Sequence, residues 1–314
     1  MAQTQAQFDL LHALMTLNAL GKKPDEFNSP QDMRARVDAL NQLPPLPEMA
    51  RRILALRTDP TSDARKLAQI VEMDPPLAAQ VIRWGNSALF GFSNRIVTVK
   101  DAITLVLGFD TVFNLAFTLC ALNPLKSPAD GPLGKRFFWR QTLAGSALMQ
   151  KLAQLMPPES RPDPANVHLV YLLHNTGHFL LSHLFPGEFD YLTRIVTANP
   201  DTALLPIERL ALGVDHTQLG AWLMRGWSMP GCLETVVLHH HNPYYRGEHE
   251  SLVWLTCLTD RLLGQVGIGD ACNNVLEDTP LFSNLQLDST KAEDCRDKIM
   301  EAREELETAV AALS

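Results

Sequence analysis

The sequence predicts an all-α protein arranged as two helical lobes. Apolar residues recur at three- and four-residue intervals in segment after segment, the spacing that lines one face of a helix, as in Leu67, Ile70 and Val71. Period-two alternation, the mark of a half-buried strand, is scarce. The segments are also short, and proline, glycine or aspartate residues punctuate them where helices start and stop. At 314 residues and 46% hydrophobic, the chain is long enough for one large core or two modest ones.

Taken in order, Phe8, Leu11, Leu14 and Leu17 predict an accessory helix, and Gly21-Lys22-Lys23-Pro24 opens a polar linker, together residues 1–42. The first lobe spans 43–122. It begins with Leu43-Pro44-Pro45-Leu46-Pro47 and a helix carrying Met49, Ile53 and Leu54; proline is tolerated there because the first-turn N–H groups have no partner within the helix. Thr61-Ser62-Asp63 predicts an N-cap for the helix of Leu67, Ile70 and Val71, and Asp74-Pro75-Pro76 opens another with Leu77, Val81 and Ile82. Apolar runs at 97–108 and 112–122 predict two more helices.

A connection over 123–136 is rich in proline and glycine. The second lobe, 137–270, holds helical patterns at 138–155, 167–184, 207–212, 216–227, 232–240 and 252–266, with breaks at Gly213, Pro230, Pro243 and Gly267. The acidic tail, 271–314, carries Ile299, Leu306, Val310 and Leu313 on one side of a helix, a stripe expected to pack against its own domain.

Composition narrows the function. A formal net charge of −8 supplies no overall basic field for nucleic-acid backbones. Cys120, Cys232, Cys257, Cys272 and Cys295 are odd in number, widely spaced and free of any CxxC pair. They suggest neither a disulfide framework nor a thiolate zinc site, and fit a reducing cytoplasm. The N-terminal stretch has no basic leader ahead of an apolar run, and no run approaches the roughly 18–20 residues of a membrane span, so neither export nor anchoring is expected.

Chemistry concentrates in the second lobe, at Gln141, His174-Asn175-Thr176-Gly177, Asp215-His216, His239-His240-His241 and Asp260. Each lies in or beside an apolar helix, where a histidine must satisfy both ring nitrogens by hydrogen bonds or a metal. Histidines and an aspartate on successive helices can converge in a bundle interior and hold divalent cations that polarise a phosphoryl group.

That succession resembles the HD superfamily of metal-dependent phosphohydrolases, and residues 43–267 resemble its signalling branch, the HDOD (HD-related output domain) family. Leu43-Pro44-Pro45-Leu46-Pro47, Asp74-Pro75-Pro76-Leu77, Asn86-Ser87-Ala88-Leu89-Phe90-Gly91 and the run from Ala102-Ile103 to Leu107-Gly108 are similar, in order and spacing, to that family's opening signatures. The resemblance implies that the second lobe is an HD-like helical bundle. It also implies a degenerate site. Gln141 stands where the first ligand histidine is expected, and His174-Asn175 replaces the His-Asp pair. His174, His216, His240 and Asp260 match surviving positions, His240-His241 being the double histidine. Asparagine cannot bridge two cations as a carboxylate can, and a glutamine oxygen is a weaker ligand than imidazole. The expectation is a metal-free polar core in which the histidines pair with Asp260, Asn175 and Gln141. The alternative is a single divalent ion (Zn, Fe, Mn or Ni) on His174, His216, His240 and Asp260.

The resemblance therefore implies a non-catalytic bacterial signalling regulator or scaffold, with other signalling proteins as partners and a nucleotide as a possible ligand. About forty residues lie outside it at each end, which implies regulation by a separate protein or small ligand. A phosphohydrolase or phosphodiesterase with an altered ligand set is the first alternative. A nucleotide or nucleic-acid module using Arg51, Arg52, Arg57, Arg83, Arg95 and Lys100 is the second. His174 and His178 share the spacing of a zinc peptidase but lack its glutamate. Gly264-Gln265-Val266-Gly267-Ile268-Gly269 follows a helix rather than a strand and has no phosphate-loop lysine. Trp84, Trp139, Trp222, Trp227 and Trp254 read as core.

Overall fold

A computed structural model of the chain describes residues 43–86, 95–126, 131–269 and 280–313; the accessory helix and linker of 1–42 and the Ser87–Gly91 signature lie outside them. The described residues are helical and contain no strand. α1 (Glu48–Ala55), α2 (Ala64–Glu72) and α3 (Pro75–Gly85) come first. Asp63 and Asp74 cap α2 and α3 by accepting from Lys66 N–H at 2.8 Å and Leu77 N–H at 3.1 Å. The apolar run at 97–108 is one α-helical turn, α4 (Val99–Asp101), continued by a π-helical segment, Ala102–Leu107, that ends at Gly108 with φ 79°. α5 (Phe109–Leu122) follows and packs on α1.

Next come α6 (Lys135–Leu155), a short 3₁₀ turn at Pro158–Ser160, α7 (Pro164–Leu173), α8 (Gly177–Leu184), α9 (Pro186–Ala198), α10 (Leu204–Leu212), α11 (His216–Gly226), α12 (Gly231–His239) and α13 (Glu250–Gly264). The chain closes with α14 (Leu281–Leu285), α15 (Ser289–Glu301) and α16 (Arg303–Leu313). α7 lies at the centre, against α6, α12 and α5, with Val167 through Leu173 all buried. A helix apolar on every side is stable only in such a position. Trp84, Trp139, Trp227 and Trp254 are buried, and Trp222 is half-buried against the core.

Three expectations need correction. The apolar stretch at 167–184 is not one helix, because the chain turns at His174-Asn175-Thr176 between α7 and α8. Packing explains the break: a Cβ on Gly177 would lie 1.9 Å from the backbone oxygen of His216, so the start of α8 is pressed directly on α11. The tail is likewise two long helices, α15 and α16, rather than one. Leu306, Val310 and Leu313 are buried as α16 packs on α6 and α3, whereas Ile299 on α15 is only half-buried. Finally, α9 was not foreseen, although Phe189, Leu192 and Ile195 recur at helical spacing and are buried.

Candidate functional site

The bundle places one polar cluster inside its apolar core. α6 brings Gln141, the end of α7 and the turn after it bring Tyr171, His174 and Asn175, and α8 brings His178. Glu208 comes from α10, His216 from the start of α11, His240 and His241 from the end of α12, and Asp260 from α13. All are buried except His241, which is half-buried.

Asp260 anchors one half. Its Oδ1 accepts from Tyr171 O–H at 2.7 Å and from Gln141 Nε2 at 3.1 Å, and Asn175 Nδ2 donates to Gln141 Oε1 at 3.2 Å. Burial opposes ionisation of Asp260, but the nearby His174 imidazole and the hydrogen bond from Tyr171 outweigh that and hold the carboxyl below its usual range. Burial and the neighbouring carboxylate push the Tyr171 phenol well up, so it remains a donor. Gln141 thus occupies the expected first-ligand position as a clamp on Asp260.

Glu208 anchors the other half and is fully buried. Oε2 lies 2.7 Å from His216 Nδ1 and accepts from His216 N–H at 3.1 Å, while Oε1 lies 2.9 Å from His178 Nε2. Burial disfavours the charge, yet the two imidazoles outweigh it and keep Glu208 ionised. The His178 and His216 rings stack on each other at 4.3 Å.

Between the halves, ring nitrogens converge. His240 Nδ1 lies 2.9 Å from the Val237 carbonyl and His174 Nδ1 lies 2.6 Å from the Tyr171 carbonyl. Each Nδ1 must carry a proton in those contacts, which leaves each Nε2 facing the interior of the cluster. His216 Nε2 lies 3.3 Å from His240 Nε2 and 3.2 Å from His241 Nε2. Burial, reinforced by the neighbouring imidazoles, lowers His240 and His241 well below the ordinary histidine value, so both are neutral near pH 7. A carbonyl or carboxylate behind a histidine with its other nitrogen facing inward is the usual support of a metal ligand.

Gln141, Asn175 and Asp260 are joined by hydrogen bonds, but among the described residues no histidine hydrogen-bonds to any of the three, so the pairing of histidines with them expected from sequence is not what links the cluster. His174 Nε2, Asp260 Oδ2 and Asn175 Oδ1 are buried without a hydrogen-bond partner among the described residues. His174 Nε2 lies 3.5 Å from Asp260 Oδ1, a contact rather than a hydrogen bond. Two overlapping trios could hold a cation: His216, His240 and His241, and His174, His240 and Asp260. The four residues expected to share one ion therefore divide between two trios, with His240 common to both. A third trio, His178, Glu208 and His216, is already joined by hydrogen bonds.

Reading the sequence did not single out Glu208 or Tyr171. The signal for Glu208 was its place between Leu204 and Leu212, four residues either way, where a carboxylate interrupts the buried side of an apolar helix. Three of the arginines considered for anion binding have partners nearby: Arg51 and Arg52 pair with Glu48, and Arg57 donates to Asn166 at 2.6 Å.

Among the described residues, an all-helical bundle with histidines and an aspartate delivered by successive helices is the arrangement of a protein of the HD type. Comparison with known proteins narrows this further. The HDOD domain model matches residues 43–243, and the chain belongs to that family. The structure is similar to an HDOD domain protein of unknown function from Geobacter sulfurreducens, with TM-score 0.72 and 21% identity, covering 91% of this chain and 98% of that one. It is also similar to a protein of Marinobacter aquaeolei VT8 provisionally assigned to signal transduction, with TM-score 0.77 and 30% identity over 99% of this chain. An uncharacterised protein of Treponema pallidum (strain Nichols) is 24% identical over 217 residues, 69% of this chain. The chain spans 41% of the length of the Treponema relative and 66% of the Marinobacter chain. Among the described residues, no helix is long and apolar enough to cross a membrane.

Proposed function

We propose that this chain is a signal-transduction regulator of the HDOD type that acts on other signalling proteins by binding rather than by hydrolysis. The observation that carries this reading is the Asn175–Gln141–Asp260 chain of hydrogen bonds, which fills the two positions where a dinuclear phosphohydrolase would need an imidazole and a bridging carboxylate. A two-ion clamp needs a carboxylate shared between cations, and the neutral amide of Asn175 cannot supply one. The assignment of the Marinobacter protein to signalling supports the same class.

The residual ligands fit a single divalent ion. The unpartnered His174 Nε2 and Asp260 Oδ2 and the convergence of Nε2 atoms from His216, His240 and His241 favour this over the metal-free core expected from sequence. Imidazole-rich sets suit zinc, iron or nickel, and a carboxylate admits manganese. When bound, such an ion supplies positive charge to the buried cluster. Tyr171 and Gln141 hold Asp260 in place, and Glu208 orients His216.

The alternative, a phosphohydrolase with an altered ligand set, draws on the same inward-facing nitrogens. Hydrolysis of bis(p-nitrophenyl) phosphate with added manganese, iron or zinc separates the two. Our reading expects turnover no higher in the wild type than in His174→Ala; activity that disappears in His174→Ala overturns it.

A further inference from the structure

One cavity is not explained by the histidine cluster. It encloses about 360 Å3 between α1, α3 and α5 on one side and α6 and α8 on the other, and Leu313 at the end of α16 forms part of its wall. The volume lies within the roughly 300–1,000 Å3 of small-molecule sites. Much of the lining is apolar, including Leu77 and Phe179.

Gln80 and Trp139 line it as well, and each carries a buried N–H donor. Gln80 is 6% exposed and Trp139 2% exposed, and neither Gln80 Nε2 nor Trp139 Nε1 has a hydrogen-bond partner among the described residues. A donor sequestered without an acceptor is costly, so such groups ordinarily have one. Gln80 Oε1 already accepts from Arg83, which fixes the amide with its nitrogen left for another acceptor. Arg83 brings a positive charge to the lining, and Asp74, the carboxylate among the described lining residues, is engaged in capping α3.

We propose that this cavity binds a small organic anion, with its apolar body among Leu77, Phe179 and Leu313, its acceptor atoms on Gln80 and Trp139, and its charge toward Arg83. Trp139 precedes Gln141 by two residues on α6, and Phe179 adjoins His178 on α8. An occupant therefore touches the two helices that carry part of the polar cluster.

The charged end can be a carboxylate or a phosphate, and calorimetric titration of the full chain with octanoate, 5′-GMP and inorganic phosphate distinguishes them. One or both organic anions should bind one to one with a Kd below about 1 mM. Trp139→Phe, which keeps the ring and removes the N–H, and Arg83→Gln, at an exposed position, should each weaken binding about tenfold. Binding of octanoate alone assigns a carboxylate, and of 5′-GMP alone a phosphate. The proposal is overturned if neither organic anion binds, if inorganic phosphate binds as tightly as either, or if both variants bind like the wild type.

Discussion

Replacing Glu208 tests how the cluster is held. Its carboxylate is fully buried and receives three donors, from His178 Nε2, His216 Nδ1 and His216 N–H, at 2.9, 2.7 and 3.1 Å. Glu208→Ala leaves all three without an acceptor in a site that water does not reach. Removing one partner from a buried charged pair costs about 3–5 kcal/mol, and this site lies in that range. Glu208→Gln keeps the volume but turns one oxygen into an amide nitrogen, so that N–H faces N–H at one imidazole; its cost should be smaller, about 1–3 kcal/mol. Urea unfolding is the assay, with the slope unchanged and the midpoint lowered, more for alanine than for glutamine. A loss below about 1 kcal/mol for Glu208→Ala would refute the reasoning, because a carboxylate binding three buried donors cannot be removed so cheaply. Since Glu208 also fixes which nitrogen of His216 faces His240 and His241, both variants should weaken any cation bound there by about 10–100-fold.

Other expected outcomes follow from single contacts. Asp260→Ala leaves Tyr171 O–H and Gln141 Nε2 without an acceptor, and its unfolding free energy should fall by about 1–3 kcal/mol. Gly177→Ala drives a methyl into the backbone of α11, which cannot swing aside as a side chain would; thermal unfolding should show a loss of about 3 kcal/mol or more, beyond ordinary overpacking. Burial lowers His168 to about 4 from its ordinary 6.5. Between those values the unfolded chain takes up a proton that the folded chain refuses, so stability should fall as pH drops from 6.5 to 4, by up to about 3 kcal/mol. His168→Gln should flatten the stability profile in that window, and an unchanged slope would contradict the assignment.

Much of the site was legible in the sequence because order along the chain survives folding. Gln141, His174, Asn175, His216, His240 and Asp260 all reach one cluster, although nearly 120 residues separate the first from the last. Helix starts were legible where a cap is local, as at Asp63 and Asp74. What periodicity could not supply was the direction of approach. The stretch at 167–184 is apolar on every side, so its spacing gave no sign of the turn at His174-Asn175-Thr176; that turn depends on α11 pressing against Gly177, about forty residues away. The same holds for Glu208. Its burial becomes favourable only when α8 and α11 bring two imidazoles to it, a condition that no window around α10 contains. The grouping of His216 with His241 rather than with Asp260 likewise depends on how α12 ends.

In the proposed function, Gln141 and Asn175 stand where a dinuclear site would need an imidazole and a bridging carboxylate. The most direct test is metal content, measured by inductively coupled plasma mass spectrometry on chain purified without chelator and then equilibrated with manganese, iron or zinc. The wild type is expected to hold no more than one ion per chain. The double variant Gln141→His/Asn175→Asp, which restores the imidazole and the bridging carboxylate, is expected to hold two. Two ions per chain in the wild type would contradict the account.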